Sequence, residues 1–134
     1  MQDLSNLVVY NDGELELKVS VDSETIWLTQ LQMSQLFDTS TDNVGLHLKN
    51  IYLEKELDEN STTEFFSVVR KEGNRLVKRE LKHYNLDVII CVGYRVSSLR
   101  ATKFRQWATS VLKNYIQNGY AINNHKITEQ RLFA

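Results

Sequence analysis

Residues 27–51 read WLTQLQMSQLFDTSTDNVGLHLKNI, and residues 63–82 read TEFFSVVRKEGNRLVKRELK. Thr29 can cap a first helix in which Leu31, Leu36 and Phe37 are apolar, while Ser34 is small enough to let a crossing helix approach. Asp38-Thr39-Ser40-Thr41 breaks that helix. Ser40 or Thr41 can cap a second one, where Val44, Leu48 and Ile51 recur at i, i+4 and i+7 and so share a buried face. Asp42, Asn43, Leu46, His47, Lys49 and Asn50 then look outward, to solvent or to a groove. Gly73-Asn74 supplies a hairpin turn between Thr63–Val69 and Arg75–Leu81. Helix, break, helix and basic hairpin, in that order, is the layout of a winged helix-turn-helix. The plainer alternative is a helical hairpin packed into an ordinary core.

Charge is segregated along the chain. Residues 1–69 carry three basic and thirteen acidic side chains, a net of −10, whereas residues 70–113 carry eleven basic and three acidic ones, a net of +8. The whole-chain value of −1 therefore hides a strongly basic segment. A local basic field, more than the total charge, is what attracts phosphate. Arg70, Lys71, Arg75, Lys78, Arg79 and Lys82 lie on the second hairpin, where long cationic side chains can reach backbone phosphates or a minor groove. Two alternatives stand beside this. Acidic segments can fold back onto the basic ones, and lysines also protect exposed edge strands from aggregation.

At 134 residues the chain fits one domain with a sizeable core. Apolar content of 42% and charged content of 25% are ordinary for a soluble protein. No run is long enough to span a bilayer, and Met1-Gln2-Asp3-Leu4 lacks the basic and apolar parts of a signal peptide. The single Cys91 cannot form an internal disulfide. It sits in the run Val88-Ile89-Ile90-Cys91-Val92, which reads as a buried small side chain. A cytoplasmic protein without a membrane partner is the expectation.

Upstream, Leu7–Tyr10 and the alternating Leu15, Leu17, Val19 and Val21 form a first hairpin around Asn11-Asp12-Gly13. Tyr52–Asn60 is acidic and compatible with helix. Asn85 can cap a short helix over 86–92 that Gly93 would end. Ser97 or Ser98 starts the longest helix, to Asn118, with Gly119 beyond it. Phe104, Trp107, Ala108, Val111, Leu112, Tyr115 and Ile116 make its buried stripe. Arg100, Lys103, Gln106, Ser110 and Lys113 fall on its other side. The expected plan is α+β: an N-terminal β-hairpin (7–21), a winged helix-turn-helix-like core made of a helix pair (29–51) and a second, basic β-hairpin (63–82), then a short and a long C-terminal helix (86–92 and 98–118). All of this lies in a single domain over 1–127, followed by a polar tail, 128–134.

Five blocks stand in a fixed order: Trp27-Leu28-Thr29-Gln30, His47-Leu48-Lys49-Asn50-Ile51, Tyr84-Asn85-Leu86-Asp87, Val92-Gly93-Tyr94-Arg95-Val96 and Phe104-Arg105-Gln106-Trp107-Ala108-Thr109. Together they resemble the RhuM-type virulence protein family of bacteria over about residues 7–127. Members of that family are typically longer, so the chain resembles their N-terminal portion. More distantly, the plan is similar to the Bro-N domain of phage antirepressors. These resemblances imply DNA binding on mobile or phage-derived elements, with virulence describing genomic context and not chemistry. Related sequences often carry Gly where Asp38 stands and Ser where Gly45 stands.

The expected function is double-stranded DNA binding of regulatory or antirepressor type. Thr41, Asn43, His47, Lys49 and Asn50 would act from the second helix, with Asn suited to adenine edges. Arg70, Lys71, Arg75, Lys78 and Arg79 would act from the hairpin, and Arg100 and Lys103 from the long helix. Paired half-sites suggest a homodimer, and a repressor or host protein is a further expected partner. The alternative is a protein-interaction module without DNA contact. Neither metal, cofactor nor catalytic residue is expected. His47, His83 and His125 have no ligand spacing, and no phosphate loop or nucleophile elbow appears. Glu72-Gly73-Asn74-Arg75 is similar to part of a Fic-type transferase loop, but the preceding His and the second Gly are missing. A nuclease or toxin activity is the remaining enzyme alternative.

Overall fold

Helix α1 (Gln30–Leu36) begins where the sequence places a cap. Thr29 Oγ1 accepts from Gln32 N at 3.2 Å, and the Gln32 side chain accepts from Thr29 N at 3.0 Å, so two otherwise orphaned donors are satisfied reciprocally. Asp38 follows in a left-handed conformation, φ 54°, which Asp tolerates better than most side chains. Ser40 then caps α2 (Thr41–Leu53), its Oγ accepting from Asn43 N at 3.0 Å, which makes Thr41 the first helical residue. Val44, Leu48 and Ile51 are buried, as their spacing requires.

The computed structural model describes residues 2–3, 7–22 and 24–118. Gly119 and the polar tail lie outside the described residues, as does the side chain of Ile116. The chain is mixed α+β, with two three-stranded sheets and five helices among the described residues. The first sheet has the order β2–β3–β4: β2 (Leu7–Asn11) pairs antiparallel with β3 (Glu16–Val21), which pairs with β4 (Ile26–Trp27). The second has the order β1–β5–β6. Here β5 (Thr63–Glu72) and β6 (Arg75–Tyr84) form an unbroken ten-rung antiparallel ribbon, and β1 (Gln2–Asp3) adds in parallel at Phe66 and Ser67. A single bridge, Leu28 to Tyr84, joins the sheets through hydrogen bonds of 3.0 and 2.8 Å.

The core lies between the first sheet and the helices. Tyr10 meets the rings of Phe104 and Trp107 edge-on at 5.1 and 5.0 Å, which seats that sheet on α5 (Ser98–Asn118). The stripe read from the sequence is buried at Phe104, Ala108 and Val111 and half-buried at Trp107, Leu112 and Tyr115.

Four boundaries differ from the sequence reading. Helix α2 runs two residues beyond Ile51, to Leu53. The basic hairpin runs two residues further, to Tyr84, because that residue carries the bridge to Leu28. The acidic stretch after α2 is not one helix. Lys55 turns left-handed, φ 59°, and Asp58 caps a separate short helix, α3 (Glu59–Thr62). Gly93 does not end the short C-terminal helix. That helix, α4 (Leu86–Val96), passes through it, and Gly93 is buried against Phe37 and Ala101. Its missing side chain serves close packing, a role local sequence cannot distinguish from termination.

Candidate nucleic-acid interface

A tight turn keeps the ribbon regular out to its end. Gly73 takes φ 63° while Asn74 stays in the ordinary negative region, the arrangement of a type II′ turn. Because opposed residues in a ladder share a face, the register sorts the ribbon's cations by kind. Arg70, Arg75 and Arg79 lie on one face with Val68 and Glu72. Lys71, Lys78 and Lys82 lie on the other with Val69, Leu76 and Glu80.

The two faces are in different electrostatic states. Glu72 takes Arg79 at 2.8 Å and Arg70 at 2.9 Å. These two guanidiniums, Arg79 first, hold its carboxyl down to about 2, so Glu72 is ionised at neutral pH. On the lysine face, Lys82 is paired with Glu59 of α3. Lys71 and Lys78 are exposed and have no ion-pair partner among the described residues, nor has Arg75.

Fold-back of the acidic half is selective. Besides Glu59–Lys82, Arg95 is bound by Glu54 at 3.1 Å and Glu56 at 2.6 Å, and Arg100 by Glu14 at 3.3 Å. Arg100 also donates to the Leu36 carbonyl at 2.9 Å, satisfying the end of α1. Together with Lys103 it borders a small cavity beside Tyr10, Asp12 and Glu14, at the loop of the first hairpin. Arg100 is therefore occupied as a structural tie. Cys91 lies 3.4 Å from Glu56, and burial, then Glu56, pushes its thiol up to about 11, so it stays protonated.

Helix α2 divides the remaining candidates. Gly45, Lys49, Tyr52 and Leu53 form one wall of an open groove of about 480 Å³, whose other side includes Tyr84 and Glu59 at the ribbon's base. At about 100° per residue, Asn43, His47 and Asn50 fall on the opposite flank. Asn43 donates to Thr39 Oγ1 at 2.9 Å, while His47 and Asn50 are half-buried. Thr41 is exposed at the helix start, its carbonyl accepting from Gln30 Nε2 at 2.7 Å. Only Lys49 among the helix candidates lines the groove shared with the ribbon's base. The sequence reading missed Gln30, Glu59 and Glu72, since each acts through a partner that only the fold supplies.

His83 anchors the ribbon's base. Its ring is buried, 5.1 Å from that of Phe66, which meets Trp27 at 5.4 Å. Nδ1 lies 2.8 Å from the Leu81 carbonyl, which can only accept, so Nδ1 carries the proton of the neutral ring. Burial lowers its pKa below 6.5, so below that pH the unfolded chain binds more protons than the folded one. The stability from neutral His83 is therefore complete above about pH 6.5 and is lost as pH falls through the lower folded-state pKa. Urea midpoints compared at pH 7.5 and pH 5 should fall less in His83→Gln than in wild type, and equal losses would remove His83 from the account.

No helix among the described residues is long and apolar enough to cross a membrane. No curated protein and no solved structure matches the chain. The family model of the Virulence protein RhuM family does match, over residues 61–134. That span holds the ribbon, α4 and α5, including the blocks at Tyr84–Asp87, Val92–Val96 and Phe104–Thr109, while the helix pair precedes it. More than half of the chain is covered, and it belongs to the RhuM virulence protein family.

Proposed function

We propose that the chain is a cytoplasmic DNA-binding module of winged helix-turn-helix type, regulatory or antirepressor-like, with no catalysis of its own. Helices α1 and α2 would be the helix-turn-helix, and the β5–β6 ribbon the wing. The observation that carries this reading is the lysine face. Lys71 and Lys78 have no ion-pair partner among the described residues and stand exposed on a ribbon whose base is separated from Lys49 by an open groove. Cations held on a regular ladder at fixed spacing suit the repeating phosphates of a duplex. Helix α2 brings one full charge to the groove, so the ribbon supplies most of the affinity. A homodimer on paired half-sites, and a repressor or host protein as partner, extend the same reading.

Duplex binding across a salt series tests it. With six or more phosphates neutralised, affinity should fall about a thousandfold or more between 50 and 200 mM salt. Absent or salt-independent binding would end the proposal.

A second reading has its own observation. Leu46 and Leu53, i and i+7 on α2, are 55% and 67% exposed on its outward side. Such an apolar ridge suits a protein groove. If Leu46→Glu and Leu53→Glu leave duplex affinity unchanged but abolish a repressor contact, this helix belongs to a protein partner.

A further inference from the structure

The lysine face carries more than charge. Leu76 opposes Lys71 on the second rung from the turn, and Val69 opposes Lys78 two rungs further in. Leu76 is 76% exposed and Val69 62%. Two apolar side chains and two lysines without an ion-pair partner among the described residues thus form a checkerboard on this face; its inner pair, Val69 and Lys78, borders an open cavity of about 650 Å³ shared with Leu7, Lys18 and Leu31, and Glu80 is the next rung inward, opposite Ser67. Single exposed leucines are common. Here the apolar pair is framed by cations that the fold has left free, whereas the opposite face has its own carboxylate clasp. A surface of this kind is complementary to a target that is anionic at its rims and apolar between them. The minor groove of duplex DNA is such a target, with phosphates on both sides and stacked base pairs at the floor.

Building on the DNA-binding reading, we propose that the lysine face enters the minor groove. Lys71 and Lys78 straddle the groove onto phosphates, and Leu76, backed by Val69, wedges against a base step and bends the duplex. Apolar wedges of this type partly unstack one step and kink the duplex toward the major groove. Flexible pyrimidine–purine steps would therefore be preferred without any hydrogen-bonded readout.

The test is energy transfer between dyes on the two ends of a duplex of about 30 base pairs, at protein concentrations that saturate it. Wild type should raise the transfer. Leu76→Ala should bind within about tenfold of wild-type affinity, with the same salt slope, yet lose most of that rise. Leu76 is mostly in water, so the variant should keep the wild-type melting temperature. Lys71→Ala with Lys78→Ala should instead reduce the slope by about two. Wild-type transfer in bound Leu76→Ala overturns the wedge and leaves DNA binding standing. No duplex binding by wild type overturns both. Should wild type sediment as a dimer and Leu76→Ala as a monomer, the patch seats a second copy and the wedge is overturned.

Discussion

Gly93→Ala is expected to lower the thermal midpoint by roughly 6–10 °C, a net destabilisation of about 2 kcal/mol. A Cβ at Gly93 would sit 2.6 Å from Phe37 Cζ and 2.7 Å from both Phe37 Cε1 and the Ala101 Cβ. Both neighbours are core residues, Phe37 at the end of α1 and Ala101 on α5, and neither has open space to retreat into. Overpacking of this kind costs about 1–3 kcal/mol and sometimes more. Contact on two sides places Gly93 at or beyond the top of that range. The helical preference of Ala over Gly returns about 1 kcal/mol. Gly45→Ala is the contrast. There the new Cβ meets only the Gln30 side chain, Nε2 at 2.8 Å and Cδ at 3.7 Å, the far end of a flexible side chain. Displacing it loses one hydrogen bond to Thr41, about 1 kcal/mol, against a similar gain in helix propensity. Near-neutral Gly45→Ala beside a strongly destabilised Gly93→Ala is the expected pair of melts. Equal midpoints for Gly93→Ala and wild type would refute the packing account.

Under the DNA-binding proposal, Lys71→Ala with Lys78→Ala gives the other large effect. Losing two phosphate contacts removes nearly two from the slope of log affinity against log salt. The drop between 50 and 200 mM salt should then be smaller by about tenfold. Arg70→Ala should do much less, because Glu72 already holds that guanidinium. Glu72→Gln should act the opposite way, releasing Arg70 and Arg79 and steepening the slope. If Arg70→Ala matches the lysine pair, the arginine face, and not the lysine face, meets the duplex.

Local pattern carried much of the architecture. The Val44, Leu48 and Ile51 spacing, the caps at Thr29 and Asn85 and the turn at Gly73 are each settled by a few neighbouring residues, and each appears where the sequence places it. Gly93 reads as a helix end because a terminating glycine and a packing glycine look alike until Phe37 and Ala101 arrive from elsewhere in the chain. Strand β1 is two residues long and pairs with a strand more than sixty residues away, so no periodicity announces it. Among the candidate contacts, the basic segment was visible as composition. Which of its cations are held (Arg70 and Arg79 by Glu72, Lys82 by Glu59) was not, because that follows from ladder register and from a carboxylate that α3 supplies.

The Leu28–Tyr84 bridge has a mechanical consequence. Leu28 immediately precedes the Thr29 cap of α1, and Tyr84 immediately precedes the Asn85 cap of α4. The β5–β6 arm is thus geared at its root to the starting points of two helices. Torque applied at the Gly73 tip has a ten-residue lever through which to reach both.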